Sequence, residues 1–580
     1  MIASSLSSAS YAIGGYEAGI YRQTANDSDV KQYEEISLVT GHPAVLKGTV
    51  AFKRIDKEKE KQDLEKAILK REKENEKLQG KLKKQNKTTV NQRNGRNGAI
   101  GAANQRNAAL PVPPEDPVPV PRIQEKIDLK GKTVTENYEL AGVDEMGNKV
   151  AISRRVTIEP QYEYYKNQKI TTSKITKYNE IVTIGGTAYT LNEDLSEISE
   201  SHVTDIKPAI EYDAGSYSFY KVYQTPGDNP QKLVIQMDGK SSGYDQYWGS
   251  TETKTMNYTI NTYGAGLEEN NQARGQNNNQ ANNQNNNQNQ NNNQANNNAF
   301  KPPAYNSMGV DGTYTVKETI NTSKDFSYSE NDPNKISFRG GYLLTEQNQS
   351  ALEYSYDVNG EQGSGSFEME SSPQVRRLFA PVLTDMQGHW AQEPAQKITA
   401  LGGFDINKKM FLPSAPISRE EFAKAVNYAM GIFKPEDKNK KNTRLKQELF
   451  SDVRQNDPYY DYIKSAVENE IMIGREDNKF EPKEPITRME AIKILTNSLG
   501  LDVFIPNGSY STGFEDQANI PGWGYESAYI AQAVGLVGKG GYLNPKEYLS
   551  KAEASQLLAE YINYMKDDLK EDYIYKTLNY

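Results

Sequence analysis

The 580-residue chain has no cysteine, three histidines and three tryptophans. Without cysteine there can be no disulfide, thiolate zinc site or cysteine nucleophile. His42, His202 and His389 are scattered without metal-ligand spacing, which leaves a histidine-based triad or zinc centre with no support. No apolar run is long enough to span a bilayer. Excess positive charge is also missing: the formal net charge is -9 and the pI about 5.4, which argues against a general nucleic-acid binder. Acidic residues are so frequent that a pair of carboxylates suited to glycoside hydrolysis arises by chance.

The most specific feature that is present is a motif repeated three times in the last third of the chain. It reads Ile417-Ser418-Arg419-Glu420-Glu421, then Ile486-Thr487-Arg488-Met489-Glu490, then Leu549-Ser550-Lys551-Ala552-Glu553. Each copy is preceded by a Phe/Leu-x-Asp element ending at Asp385, Asp452 or Asp516, and by an aromatic at Trp390, Tyr459 or Tyr460, and Trp523. This near-constant spacing marks a domain-sized repeat.

Within each motif a hydroxyl residue (Ser418, Thr487, Ser550) stands three positions before a glutamate, and an apolar-periodic run follows. The pattern predicts a capping box opening a helix. Arg419, Arg488 and Lys551 then occupy the first helical position, where the macrodipole disfavours a cation. A fixed cation beside unpaired helix N–H groups suits an anion, most naturally a carboxylate or phosphate. The plain alternative pairs each cation with the aspartate of its own repeat, and the two readings are compatible. A first helix in each unit is expected to end at glycine, near Gly402-Gly403, Gly474 and Gly535 to Gly538. Each unit is thus helix, glycine turn, Pro-marked loop, helix.

From about Val382 to Met565 the chain resembles three S-layer homology repeats. The matching pieces are Thr384-Asp385 through His389-Trp390-Ala391, the Asp516, Ile520 and Trp523 spacing, the glycine turns and the capping boxes. The resemblance implies a C-terminal α-helical, pseudo-threefold assembly with grooves between repeats. Those grooves would hold the secondary cell-wall polymer of a Gram-positive envelope, often through a pyruvate ketal on a terminal N-acetylmannosamine. It places the ligand-binding residues at Asp385, Trp390, Arg419, Asp452, Tyr459, Arg488, Asp516, Trp523 and Lys551. Gly403, Gly474, Gly538, Ser418, Thr487 and Ser550 would support them, with no cofactor or metal. Three departures make the grooves unequal: tyrosines replace tryptophan in the second copy, Lys551 loses the bidentate geometry of arginine, and Glu420 adds an acid in the first.

The repeats are bounded at 380–433, 446–500 and 510–566, followed by a tail, 567–580, and are expected to fold as one helical unit. Residues 1–12 read as the possible remnant of a signal peptide, ending Ser10-Tyr11-Ala12 but lacking a basic start and a useful apolar stretch. The span 13–373 alternates Tyr, Thr and Val with polar residues, as at Leu233-Val234-Ile235 and Met256 to Ile260. It is broken at Gly185-Gly186, Asp238-Gly239 and Asn359-Gly360, which predicts a sandwich-like antiparallel sheet. Two insertions interrupt it. Residues 56–121 combine a Lys/Glu-dense solvated helix with a linker, and 265–304 are a linker dominated by Asn and Gln. The cluster Gly243-Tyr244-Asp245-Gln246-Tyr247-Trp248-Gly249 reads either as core and turn anchor or as a stacking surface.

The expected protein is an extracellular, non-enzymatic surface protein of the cell wall or S-layer. It is anchored by three repeats and displays a β-rich region outward. Its alternatives are a wall-anchored enzyme acting on polysaccharide and a lattice subunit.

Overall fold

The computed structural model describes residues 19–21, 30–52, 127–263, 309–330, 340–432 and 449–574, with internal gaps of one or two residues. It also describes residue 17 and six helical positions between 63 and 77. Residues 1–12, the Asn/Gln-rich 265–304, most of 56–121 and the last six residues of the tail lie outside the described residues. The six positions of the charged insertion include Lys66, which pairs with Asp63 at 3.2 Å in helical register and is exposed.

Among the described residues, sixteen strands form one antiparallel sheet. They are β1 (Gly19–Tyr21), β2 (Val30–Ser37), β3 (Ala44–Phe52), β4 (Ile127–Lys130), β5 (Val134–Val143) and β6 (Lys149–Tyr165). Next come β7 (Gln168–Ile184), β8 (Thr187–Leu191), β9 (Glu197–Ile206), β10 (Ile210–Gln224), β11 (Lys232–Gln246) and β12 (Gly249–Tyr263). The last four are β13 (Asp311–Ser329), β14 (Gly341–Val358), β15 (Glu361–Glu370) and β16 (Gln374–Phe379). The path runs β1-β2-β3-β5-β6-β7-β8-β10-β11-β12-β13-β14-β15, so most neighbours in space are neighbours in sequence. The β-rich, antiparallel character matches the sequence pattern. The two sheets of a sandwich do not: one continuous sheet curls until β1 lies against β13 and β14.

Turn chemistry explains two of the three expected breaks. Gly185 (φ 56°) and Gly186 (φ 94°), like Asn359 (φ 54°) and Gly360 (φ 80°), take the left-handed pair of angles that a two-residue hairpin requires. Asp238-Gly239 is not a turn but lies inside β11, because Gly239 lets Met256 of the next strand approach: a Cβ there would sit 2.9 Å from its Cγ.

The inner face of the curl is apolar and aromatic, with Tyr33, Tyr138, Tyr223 and Leu233 almost wholly buried. Charge on this face is paired. Arg154 donates to both oxygens of Glu35 (3.0 and 3.1 Å) and to Glu180 (2.9 Å), and Lys221 bonds Tyr178 (2.6 Å), Glu180 (3.2 Å) and Glu17. A desolvated ion is tolerated only with such partners.

His202 on β9 is held between Glu200 (2.8 Å) and Asp213 (3.0 Å). Burial alone would push its pKa down, but the two carboxylates outweigh it and raise the pKa to about 10 from the ordinary 6.5. A raised folded-state value means that this contribution to stability is full below the unfolded value and disappears as pH climbs through the folded one. Unfolding free energy, measured by urea titration, is therefore expected to fall between about pH 7 and pH 10, and His202→Gln should flatten that window.

The C-terminal third is helical: α1 (Gln392–Leu401), α2 (Arg419–Ala429), α3 (Tyr460–Glu468), α4 (Arg488–Leu499), α5 (Tyr525–Ala533) and α6 (Lys551–Asn563). The chain then continues through a wider turn, Tyr564–Asp568, into α7 (Leu569–Asp572). Part of the expected tail is thus structured, with Leu569 and Tyr573 buried. Helices pack across unit boundaries, α1 on α6, α2 on α3 and α4 on α5.

The loops leading into α2, α4 and α6 close a ring. Ile417 N–H donates to Leu549 O (2.9 Å), Leu549 N–H to Ile486 O (2.9 Å) and Ile486 N–H to Ile417 O (3.1 Å).

This helical unit does not stand apart from the sheet. The ends of β10 to β14 contribute Ile210, Tyr244, Trp248, Phe326 and Tyr342 to the same apolar core as the helices. Helix C-termini leave carbonyls without intrahelical partners, and the sheet side supplies donors to the ends of α2 and α4 and to the wider turn that follows α6. Trp248 Nε1 donates to Ala429 O (2.7 Å), Tyr212 OH to Leu499 O (3.0 Å), Ala209 N to Ser498 O (3.1 Å) and Gln246 Nε2 to Met565 O (2.9 Å). Tyr573 stacks on Tyr212 at 5.8 Å. The Gly243–Gly249 cluster is a docking anchor between sheet and helices, with Trp248 only 1% exposed.

Candidate functional site

All three capping boxes form. Ser418, Thr487 and Ser550 each accept from the glutamate N–H three residues on (3.3 Å), and that glutamate's carboxylate accepts from the N-cap backbone at 2.9 to 3.0 Å. The carboxyls of Glu421, Glu490 and Glu553 sit below the usual range. Burial opposes this, but hydrogen bonds from the N-caps and the nearby cations outweigh it.

The remaining N-terminal donors are not free, contrary to the reading of open helix N-termini. Arg419 and Glu420 N–H donate to Glu484 O and Pro482 O, Arg488 and Met489 to Glu547 O and Pro545 O, and Lys551 and Ala552 to Ala415 O and Pro413 O. Each acceptor lies in the loop that leads into another of these three helices, so these bonds knit the ring together.

The aspartates have an equivalent, inward task. Asp385 accepts from Phe411 N and Leu412 N, Asp452 from Phe480 N and Glu481 N, and Asp516 from Leu543 N and Asn544 N, all between 2.7 and 3.0 Å. Leu412, Glu481 and Asn544 all have positive φ, a conformation that the carboxylate clamp holds in place. Burial would raise the Asp385 carboxyl, yet those N–H bonds hold it low. None of the three cations pairs with its own repeat's aspartate.

The cations differ from one another. Arg419 is buried and committed, donating Nε to Phe480 O (2.8 Å) and Nη2 to Ile473 O (3.0 Å). Lys551 donates to Glu421 at 2.6 Å. Arg488 pairs with Glu553 through Nη2, and its buried Nε has no hydrogen-bond partner. Of the three cations, Arg488 is the one with a buried nitrogen left without a partner.

The aromatics also divide. Trp390 (63% exposed) and Trp523 (51% exposed) present open faces, whereas Tyr459 is half-buried and donates its hydroxyl to Asp405 (3.1 Å). Lys493 of α4 stands 5.1 Å over the Trp523 ring and donates to its carbonyl (2.9 Å). Lys493, and Lys424 at the same position of α2, were not singled out by sequence; their signal is a cation five residues beyond the motif cation. The third helix has Gln556 there.

The glycines do three different things. Gly403 follows the left-handed C-cap Gly402 (φ 101°), and a Cβ on it would lie 2.6 Å from Ile398 Cγ2. Gly474 does not end α3, which stops at Asn469 ahead of left-handed Glu470; it makes room for the Phe450 ring, 2.2 Å from a would-be Cβ. Gly538 meets nothing within 4 Å.

The S-layer homology domain family matches residues 383–423 and 449–492. Among curated relatives, the S-layer protein sap of Bacillus anthracis is 32% identical over 186 residues, which is 32% of this chain and 21% of that protein. The S-layer protein of Bacillus thuringiensis subsp. finitimus is 31% identical over 175 residues, 30% of this chain and 20% of that protein. An endoglucanase of Bacillus sp. (strain KSM-635) is 29% identical over 122 residues, 21% of this chain and 12% of that protein. The chain thus spans about a fifth or less of the length of these relatives. No helix among the described residues is long and apolar enough to cross a membrane.

Proposed function

We propose that this S-layer-homology-domain surface protein is held non-covalently at the cell wall by an acidic secondary cell-wall polymer, a pyruvylated glycan. The polymer lies in grooves between three repeats arranged about a pseudo-threefold axis, and the β-rich region faces outward. Residues 510–566 act as the third repeat: they supply one corner of the backbone ring, through Leu549, and the same aspartate clamp and capping box as the other two. The observation that carries the reading is the contrast at the groove between the second and third repeats. There an exposed Trp523 face and Lys493 stand together, and Arg488, at the head of the same helix as Lys493, reaches across the boundary to Glu553. A sugar ring stacks on an indole, and a ketal carboxylate takes a charge-assisted hydrogen bond from a guanidinium.

Orientation follows from the helix ends. The motif cations lie at the N-terminal pole of α2, α4 and α6, while the sheet docks on their C-terminal pole. A polymer seated near the N-terminal pole leaves the far loops of the sheet directed away from the wall.

The similarity to an endoglucanase favours a second reading, a wall-anchored enzyme acting on polysaccharide. Against it, Glu35 and Glu180, the carboxylates that Arg154 brings together, are shut inside the curl where no glycan reaches. The S-layer relatives leave a lattice subunit as a form of the same anchoring function.

Co-sedimentation of the full chain with purified sacculi tests the proposal. Binding is expected to intact sacculi, to weaken as salt is added, and to be lost from sacculi stripped of the polymer or of its ketal pyruvate. Undiminished binding to stripped sacculi would remove the polymer from the account.

A further inference from the structure

The groove between the first and second repeats already holds a carboxylate, and it belongs to the chain itself. Lys424 of α2 is 8% exposed, and its ammonium donates to Asp405 Oδ1 at 2.6 Å, while Tyr459 OH donates to Asp405 Oδ2 at 3.1 Å. Tyr462 flanks the same lysine, 5.3 Å from ring centroid to Nζ. The Asp405 side chain is 65% exposed, so the carboxylate reaches the lysine from the solvent side.

Nothing equivalent fills the next groove. Counting back from Phe411, Phe480 and Leu543 by the same interval gives Asp405, Gly474 and Val537, so the acid is peculiar to the first repeat. Among the described residues, no carboxylate pairs with Lys493.

We infer that Asp405 is a built-in substitute for the ligand's carboxylate, occupying the anion position between Lys424 and Tyr459 and closing the first groove to acidic glycans. The inference rests on the reading of the inter-repeat grooves as carboxylate-binding sites. Its physical basis is that a largely desolvated ammonium needs a counter-ion. Taking Asp405 away leaves Lys424 uncompensated and the Tyr459 hydroxyl unbonded, both facing a space open to solvent. A carboxylate carried on a sugar then meets one cation, one hydroxyl donor and a tyrosine face.

Calorimetric titration of the full chain with the methyl glycoside of ketal-pyruvylated N-acetylmannosamine tests this, with Asp405→Asn as the main variant. Asp405→Gly, the residue of the second repeat, is the alternative if the first folds poorly. The wild type is expected to bind at the second groove, and either variant to take up one further equivalent. Adding Lys424→Gln to Asp405→Asn should abolish that extra equivalent. Free pyruvate should raise the thermal midpoint of Asp405→Asn more than that of the wild type. The inference is overturned if the folded variants bind with unchanged stoichiometry, or if the extra equivalent survives Lys424→Gln; Asp405 would then be a structural link between repeats. If neither wild type nor variants bind the saccharide, the groove reading itself fails and the inference with it.

Discussion

Arg488→Gln is expected to weaken binding to pyruvylated wall polymer about tenfold or more, with a loss of stability no larger than that of Lys551→Gln, since each removes one partner of a capping-box glutamate. The basis is one lost charge-assisted hydrogen bond, on the order of 1.5–3 kcal/mol. The same change at the other two motif cations should act differently. Arg419 serves two backbone carbonyls from a buried position, so Arg419→Gln leaves Phe480 O and Ile473 O without donors and should register mainly as lost stability. Lys551→Gln removes a partner of Glu421 and should weaken the contact between first and third repeats. Thr487→Ala is the control, costing about 1 kcal/mol of stability through the lost N-cap and affecting binding only through folding. Sacculus-binding isotherms and urea melts on the four variants separate these roles. Equal loss of affinity from all three cation variants at unchanged stability would contradict the assignment of Arg488 as the cation that meets the ligand.

Trp248→Ala should cost about 3–5 kcal/mol, the range for truncating a fully buried large aromatic. The indole is wedged between Tyr247 (5.1 Å) and Phe326 (6.1 Å), and its Nε1–H caps the last turn of α2. The loss is expected to fall on the junction between sheet and helices. Unfolding followed by near-ultraviolet and far-ultraviolet circular dichroism should therefore coincide in the wild type and separate in the variant. Trp248→Phe keeps most of the packing and removes the donor to Ala429 O, and should cost about 1 kcal/mol. A Trp248→Ala protein that unfolds in one transition at the wild-type denaturant midpoint would show that the two parts are stable independently.

Much of the architecture is legible along the chain because local physics governs it. A hydroxyl three residues before a glutamate satisfies helix N–H groups whatever surrounds it, which is why Ser418, Thr487 and Ser550 could be read as N-caps directly. Asn359-Gly360 and Gly185-Gly186 mark hairpins because few residues accept two successive left-handed positions. Asp238-Gly239 looks alike on paper, yet it lies within a strand. There the glycine answers to a side chain on the adjacent strand, and that contact has no local sign.

The sequence by itself determined that the C-terminal third is helical and the span before it β-rich, where α2, α4 and α6 begin, and that a cation stands at the head of each of those helices. Only the tertiary structure decided what those cations do. Lys551 meets Glu421, Arg488 meets Glu553 and Arg419 meets the carbonyls of Phe480 and Ile473, so in each case the partner is remote in sequence from the cation. The same holds for the docking of Trp248 on Ala429 and for Asp405 between Lys424 and Tyr459. Capping and turn formation act over three or four residues and leave a pattern in the sequence. Pairing across the ring depends on which remote segments share a small volume once the apolar core has closed, and no spacing along the chain encodes that.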